Sequence, residues 1–206
     1  FAGDQEALDV LVPGIAGLSL MSNTFGALAM SLPILRDQGV LKRVRGAALP
    51  ARAYVAALVA SATVNAILQT AIIVVVGRVF FGIGWPPHPI ELAIVVLAGV
   101  ACLASLGIAY SHVIPRADAA SAYMNIVSLP VLVISGAFFD TENTPRFMRD
   151  IAEALPLSHL IDGFRGAMVT GDPLSDVGSG LWIVALWTIA GVVLAVRGFR
   201  WESRRG

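Results

Sequence analysis

This sequence predicts an all-α integral membrane protein, and three observations carry that reading. Of 206 residues, 57% are hydrophobic and only 14% are charged, against about 25% charged in a typical soluble domain. The apolar residues gather into long runs at 10–35, 53–77, 92–113, 119–139 and 177–196, none of which contains Asp, Glu, Lys or Arg. A helix needs about 20 apolar residues to cross the hydrocarbon core, and each run reaches that length. Charged residues stand at nearly every boundary between runs. A disordered chain is excluded, because disorder requires low hydrophobicity and high net charge. Lys and Arg total 14 and so do Asp and Glu, so no overall field draws the chain to nucleic acid. A single cysteine, Cys102, excludes a disulfide framework and a cysteine-based zinc site.

In chain order, the opening Gly3–Asp9 is polar and acidic. It has no leader pattern of basic residues followed by an apolar stretch. With Phe1 rather than Met at the start, the chain is expected to be a piece of a longer or processed protein. The connection 36–52 holds Arg36, Lys42, Arg43, Arg45 and Arg52 against Asp37 alone. Within it Leu41, Val44 and Ala48 recur at helical spacing, bounded by Gly39 on one side and Gly46 and Pro50 on the other. That pattern suits a short amphipathic helix lying along the membrane surface. Two readings stay open for it: an ordinary basic loop that holds the topology, or a docking helix for a cytoplasmic partner.

The second connection carries only Arg78, at a helix end, with Glu91 closing it; the third carries Arg116 and Asp118. The fourth is long and acidic, and the tail carries Arg197, Arg200, Arg204 and Arg205. Cytoplasmic loops hold the excess of Lys and Arg. The first and third connections and the C-terminus are therefore expected inside, and the start, second and fourth connections outside.

The fourth connection, 140–171, reads as two short helices. Thr144-Pro145 is a helix-start pair, after which Phe147, Met148, Ile151, Ala152 and Leu155 share a face. Arg146 with Asp150, and Arg149 with Glu153, pair at i,i+4 on the other face. Pro156 breaks this helix. Ser158 is expected to cap a second, which carries Leu160, Ile161, Phe164 and Met168 and ends at Gly171. The pair forms either a hairpin resting in the outer leaflet or a small cap packed on helix ends.

Polar residues inside the spans are few. Asn65 and Gln69 lie one turn apart on the second span, and Asn125 lies on the fourth. They serve as interhelical hydrogen bonds or, alternatively, as contacts along a substrate path. The lack of ionisable groups at mid-span argues against proton relays and ion-driven carriage. Gly14, Gly17, Gly99 and Gly107 allow close helix packing. His88, His112 and His159 share no metal-ligand spacing, and no glycine-rich phosphate loop is present. No catalytic residue and no metal ligand is therefore assigned.

Three segments resemble a known family. Arg36-Asp37-Gln38-Gly39-Val40-Leu41-Lys42-Arg43, followed by Ala48-Leu49-Pro50, resembles the cytoplasmic segment of type-2 ABC transporter permeases. Ser135–Phe139, Pro145 and then Ala154–Arg165 look like that family's outer re-entrant region. Arg197–Glu202 is similar to the tails of its daunorubicin-resistance-type subgroup. The family has six spans with both ends cytoplasmic, so the resemblance implies a further span before the five seen here.

The resemblance also implies a function. The chain would be one permease domain of an exporter in the plasma membrane, surrounded by lipid and paired with a second copy. A separate ATP-binding subunit would hold ATP and Mg, and this chain itself would bind no cofactor. Gly39, Leu41, Lys42, Arg43, Val44 and Arg45 would dock into that ATPase as a coupling helix. The uncharged span interiors favour a hydrophobic or amphipathic cargo such as a drug or lipid, and the family also includes glycan carriers. A non-transporting assembly subunit and an integral-membrane enzyme are the competing classes.

Overall fold

The computed structural model describes residues 2–40, 51–82, 84–135, 146–171 and 174–198. Among these residues every regular element is helical. The first span is one continuous rod built of α1 (Ala2–Met21), a π-helical turn (Ser22–Gly26) and α2 (Ala27–Asp37). The second span is α3 (Ala51–Phe81), and the third is α4 (Pro89–Ser111). A 3₁₀ turn (Ala117–Ala119) leads into α5 (Ala120–Ile134). The short helices α6 (Arg146–Ala154) and α7 (Pro156–Arg165) follow. A second π turn (Gly166–Thr170) precedes the last span, α8 (Leu174–Gly198).

Five helices are long and apolar enough to cross a membrane: Leu8–Asp37, Ala53–Phe81, Pro89–Ser111, Ala117–Ile134 and Gly180–Arg197. Their outward faces are as apolar as their inward ones. Val79, Phe80, Ile90, Ile126, Trp182 and Ile189 are all more than 60% exposed. Water would demand a polar stripe there; hydrocarbon does not. The chain is an all-α integral membrane protein.

The core forms around α4, whose Val95, Val96, Val100, Leu103 and Ile108 are buried. The most extensive helix–helix contact joins α4 to α8. Of the spans α4 is the most buried, whereas α3, α5 and α8 keep most of their residues outside the core.

Of the helix pair after α5, α7 reaches in among the spans, as the re-entrant region implied by the resemblance would, rather than lying on the leaflet surface or on helix ends. On α7, Leu157, Leu160, Ile161 and Phe164 are at most 2% exposed, and the helix packs on α1, α4 and α8. Glycines admit it: a Cβ on Gly17 would lie 2.5 Å from Ile161, and one on Gly99 would lie 3.2 Å from Leu160. Gly99 lies near the middle of α4, so α7 is wedged between spans rather than laid over their ends. The expected cap at Ser158 is not found. Pro156 occupies the first turn and extended Leu155 is the N-cap, with no side-chain hydrogen bond. Ser158 is instead buried, and its hydroxyl has no partner among the described residues. The far end does close at Gly171, in the left-handed conformation with φ 71°. There the Gly171 carbonyl lies 3.1 Å from His88 Nε2, at the start of α4.

Candidate functional site

Midway along the first span, the π turn Ser22–Gly26 inserts a residue into the helical register. Such turns in α-helices are frequent at functional positions. Gly107 of α4 makes room for it: a Cβ there would meet the Phe25 carbonyl oxygen at 2.7 Å and the Phe25 Cα at 3.1 Å. The turn holds Thr24 fully buried, with its hydroxyl unpartnered among the described residues. It turns Ser22 and Asn23 outward. Asn23 Nδ2 then donates a hydrogen bond to Gln69 Oε1 on α3, which ties the first two spans together at mid-membrane depth.

Two apolar grooves flank α5. One, of about 440 Å³, runs between the π turn and α5 and is lined by Met21, Ser22, Phe25, Met30, Met124, Ser128 and Leu132 among others. The other, of about 490 Å³, lies between α4, α5 and α8 and is closed by the α6–α7 corner, Leu155–Leu157. That corner is held by Trp187, whose indole N–H donates to the Ala154 carbonyl at 2.8 Å. Tyr110 hydroxyl donates to the Tyr123 carbonyl at 2.8 Å, which joins α4 to α5.

The three candidate path residues are not gathered in one place. Gln69 is half-buried against Asn23, whereas Asn65 and Asn125 are exposed on separate helices. Of the docking set, Gly39 is described and turns in the left-handed region at φ 71°. Leu41, Lys42, Arg43, Val44 and Arg45 lie outside the described residues, as do the Phe147 and Arg149 side chains. On α6 Ala152 is buried, but Ile151 is 44% exposed and Glu153 is exposed as well; Leu155, just past its end, is half-buried. The Glu153 carbonyl lies 2.8 Å from His159 Nε2.

Sequence reasoning missed two features. Asn23 was visible as a polar residue in an apolar run, but nothing in the pattern paired it with Gln69. The π turn has no sequence mark beyond the cluster Ser22-Asn23-Thr24. Among the described residues no group of His, Cys, Asp and Glu is placed to hold a metal ion.

The family model described as ABC-2 type transporter matches residues 2–169. The chain belongs to the ABC-2 type transporter family. Among its relatives is Nodulation protein J of Rhizobium leguminosarum bv. trifolii, 38% identical over 86 residues, which is 42% of this chain and 32% of that protein. Nodulation protein J of Neorhizobium galegae is 30% identical over 129 residues, 63% of this chain and 48% of that protein. The linearmycin resistance permease protein LnrN of Bacillus subtilis is 24% identical over 164 residues, 80% of this chain and 42% of that protein. The chain thus spans less than half the length of each of these relatives. As an ABC-2 family member it is a membrane component of a transporter. The two grooves and the mid-membrane polar groups are therefore features of a permease domain.

Proposed function

We propose that this permease is the membrane-spanning part of an ATP-driven exporter in the plasma membrane, moving a hydrophobic or amphipathic molecule. One observation carries the reading. The groove between the π turn and α5 is apolar apart from Ser22 and Ser128, and exposed Ser22 and Leu129 stand on its lining. Exposed Asn65 and Asn125 lie on the outward faces of the second and fourth spans. Asparagine facing lipid forgoes hydrogen bonds that a neighbouring helix or water would supply. These faces therefore suit a pathway completed by a second copy. The apolar lining suits a drug, a lipid or a lipid-linked glycan, and it offers no charged groups to a free ion. A permease named for linearmycin resistance among the relatives supports the drug or lipid-like class.

The driving energy comes from a separate ATPase holding ATP and Mg, docked on the loop of Gly39, Leu41, Lys42, Arg43, Val44 and Arg45. That loop and the C-terminus face the cytoplasm, by the distribution of Lys and Arg. Reconstitution tests the reading. Proteoliposomes carrying the full-length permease and its ATPase should move a fluorescent phospholipid analogue or a hydrophobic dye when supplied with ATP and Mg. Liposomes lacking either chain should not. Movement without the ATPase would overturn it.

A further inference from the structure

We propose that Arg36 and Asp37 form a latch that fastens the root of the docking loop to the connection between the third and fourth spans. The inference rests on the ATP-driven reading and says how motion of the loop would reach the groove. Arg36, at the end of α2, donates through its guanidinium Nη2 to the carbonyls of Ile114 at 2.8 Å and Pro115 at 3.1 Å. Asp37 Oδ2 accepts from the Ala117 backbone N–H at 2.8 Å. The Arg36 side chain is only 9% exposed, and Ile114 is fully buried.

The chemistry is matched to the backbone it holds. Ile114 and Pro115 lie just past the end of α4 at Ser111, outside any helical hydrogen bonding, and the helix end beside them favours a cation. Ala117 opens the turn into α5, where unpaired N–H groups favour an anion. Two neighbouring residues of opposite charge thus satisfy both ends of the same connection. Two residues further on, Gly39 turns at φ 71°, so the loop departs directly from the latched point. On the other side, α5 begins at Ala120 and lines the groove through Met124 and Ser128. A displacement of the loop would be handed to α5 through three hydrogen bonds to main chain, with no flexible segment between.

Charge-assisted hydrogen bonds are the strong class. Arg36→Gln should therefore lower the ratio of latched to unlatched forms by about tenfold or more. Arg36→Lys, a point charge without the planar fork, should fall between. Asp37→Asn keeps an acceptor oxygen for Ala117 but loses the charge and should fall between wild type and Asp37→Ala.

The test uses the permease with its ATPase in lipid nanodiscs, with Cys102→Ala and spin labels on Gln38→Cys and Asp118→Cys. Both labelled positions are exposed. Dipolar broadening of the continuous-wave EPR spectrum is measured without nucleotide and after trapping with ATP, Mg and vanadate. The expected result is equal broadening in both states for the latched protein, and loss of broadening on trapping in Arg36→Gln and Asp37→Ala. ATP hydrolysis per complex should persist in both variants. Broadening that changes on trapping with the latch intact would show the two connections moving independently and overturn the proposal, as would unchanged broadening in the variants. Asp37 is exposed, so Asp37→Ala answers the question even if Arg36→Gln fails to insert. If no ATPase associates with the unmutated permease, the exporter reading fails and takes the latch with it; if it associates and the latch variants behave normally, the latch alone fails.

Discussion

At mid-depth the first and second spans meet through the side-chain bond from Asn23 to Gln69. Interhelical hydrogen bonds in membranes contribute modestly, about 0.6 kcal/mol on average and up to about 1.7, because the separated helices find other partners. Gln69→Leu should therefore lower stability by about 1 kcal/mol in a detergent unfolding titration. A double-mutant cycle with Asn23→Leu should return a coupling of the same size. Additive effects would mean that the two side chains do not meet. The sequence offers the amide of Gln69 as a candidate for either bonding or transport, and in the structure its oxygen accepts from Asn23. Asn65, one turn away on the same helix, received the same sequence reading but finds no such partner. Its amide is exposed, because a 3.6-residue repeat leaves two residues four apart slightly rotated around the helix and the first span meets only one of them.

At the scale of elements, glycine positions report how tightly the pieces approach. Gly107 faces main chain, the Phe25 carbonyl and Cα, which cannot turn away. Gly99 faces the ends of Leu20 and Leu160, which can change rotamer. Gly84 has open space around it. Thermal unfolding should rank the alanine variants accordingly. Gly107→Ala should be the most destabilising, in the range of about 1–3 kcal/mol for overpacking, followed by Gly99→Ala, with Gly84→Ala near wild type. An equal effect at all three would remove the close approach of the π turn to α4. The five apolar runs were legible because hydrocarbon imposes a length and a composition on any helix that crosses it. The depth of α7 was not. Leu157, Leu160, Ile161 and Phe164 give one apolar stripe whether the helix meets lipid or other helices, and only Gly17 and Gly99 hinted at a guest between spans. The start of α7 was misread because Ser158 looked like a cap, while Pro156 is the stronger signal: its fixed φ and missing N–H suit the first turn. The π turn escaped because one inserted residue leaves no trace in a run that is apolar on every side.

For the whole molecule, sidedness and the source of energy decide the account. Asp118 and Trp85 are both exposed, at opposite ends of α4. Single cysteines placed there, in a Cys102→Ala background, should react with a membrane-impermeant maleimide from opposite sides of intact cells, Trp85→Cys from outside. Reaction of both from one side would contradict the orientation argued from the basic loops.

If a separate ATPase docks on the loop that begins at Gly39, Leu41→Asp should break that contact. A carboxylate placed in an apolar docking groove is uncompensated and should cost about 3–5 kcal/mol of binding, by analogy with broken buried pairs. The spans are untouched, so the variant should reach the membrane in normal amount. The measurement is the quantity of ATPase recovered with the purified permease, variant against wild type. Affinity should fall by at least about a hundredfold. Recovery of the ATPase in normal amount with Leu41→Asp in the membrane would contradict the docking.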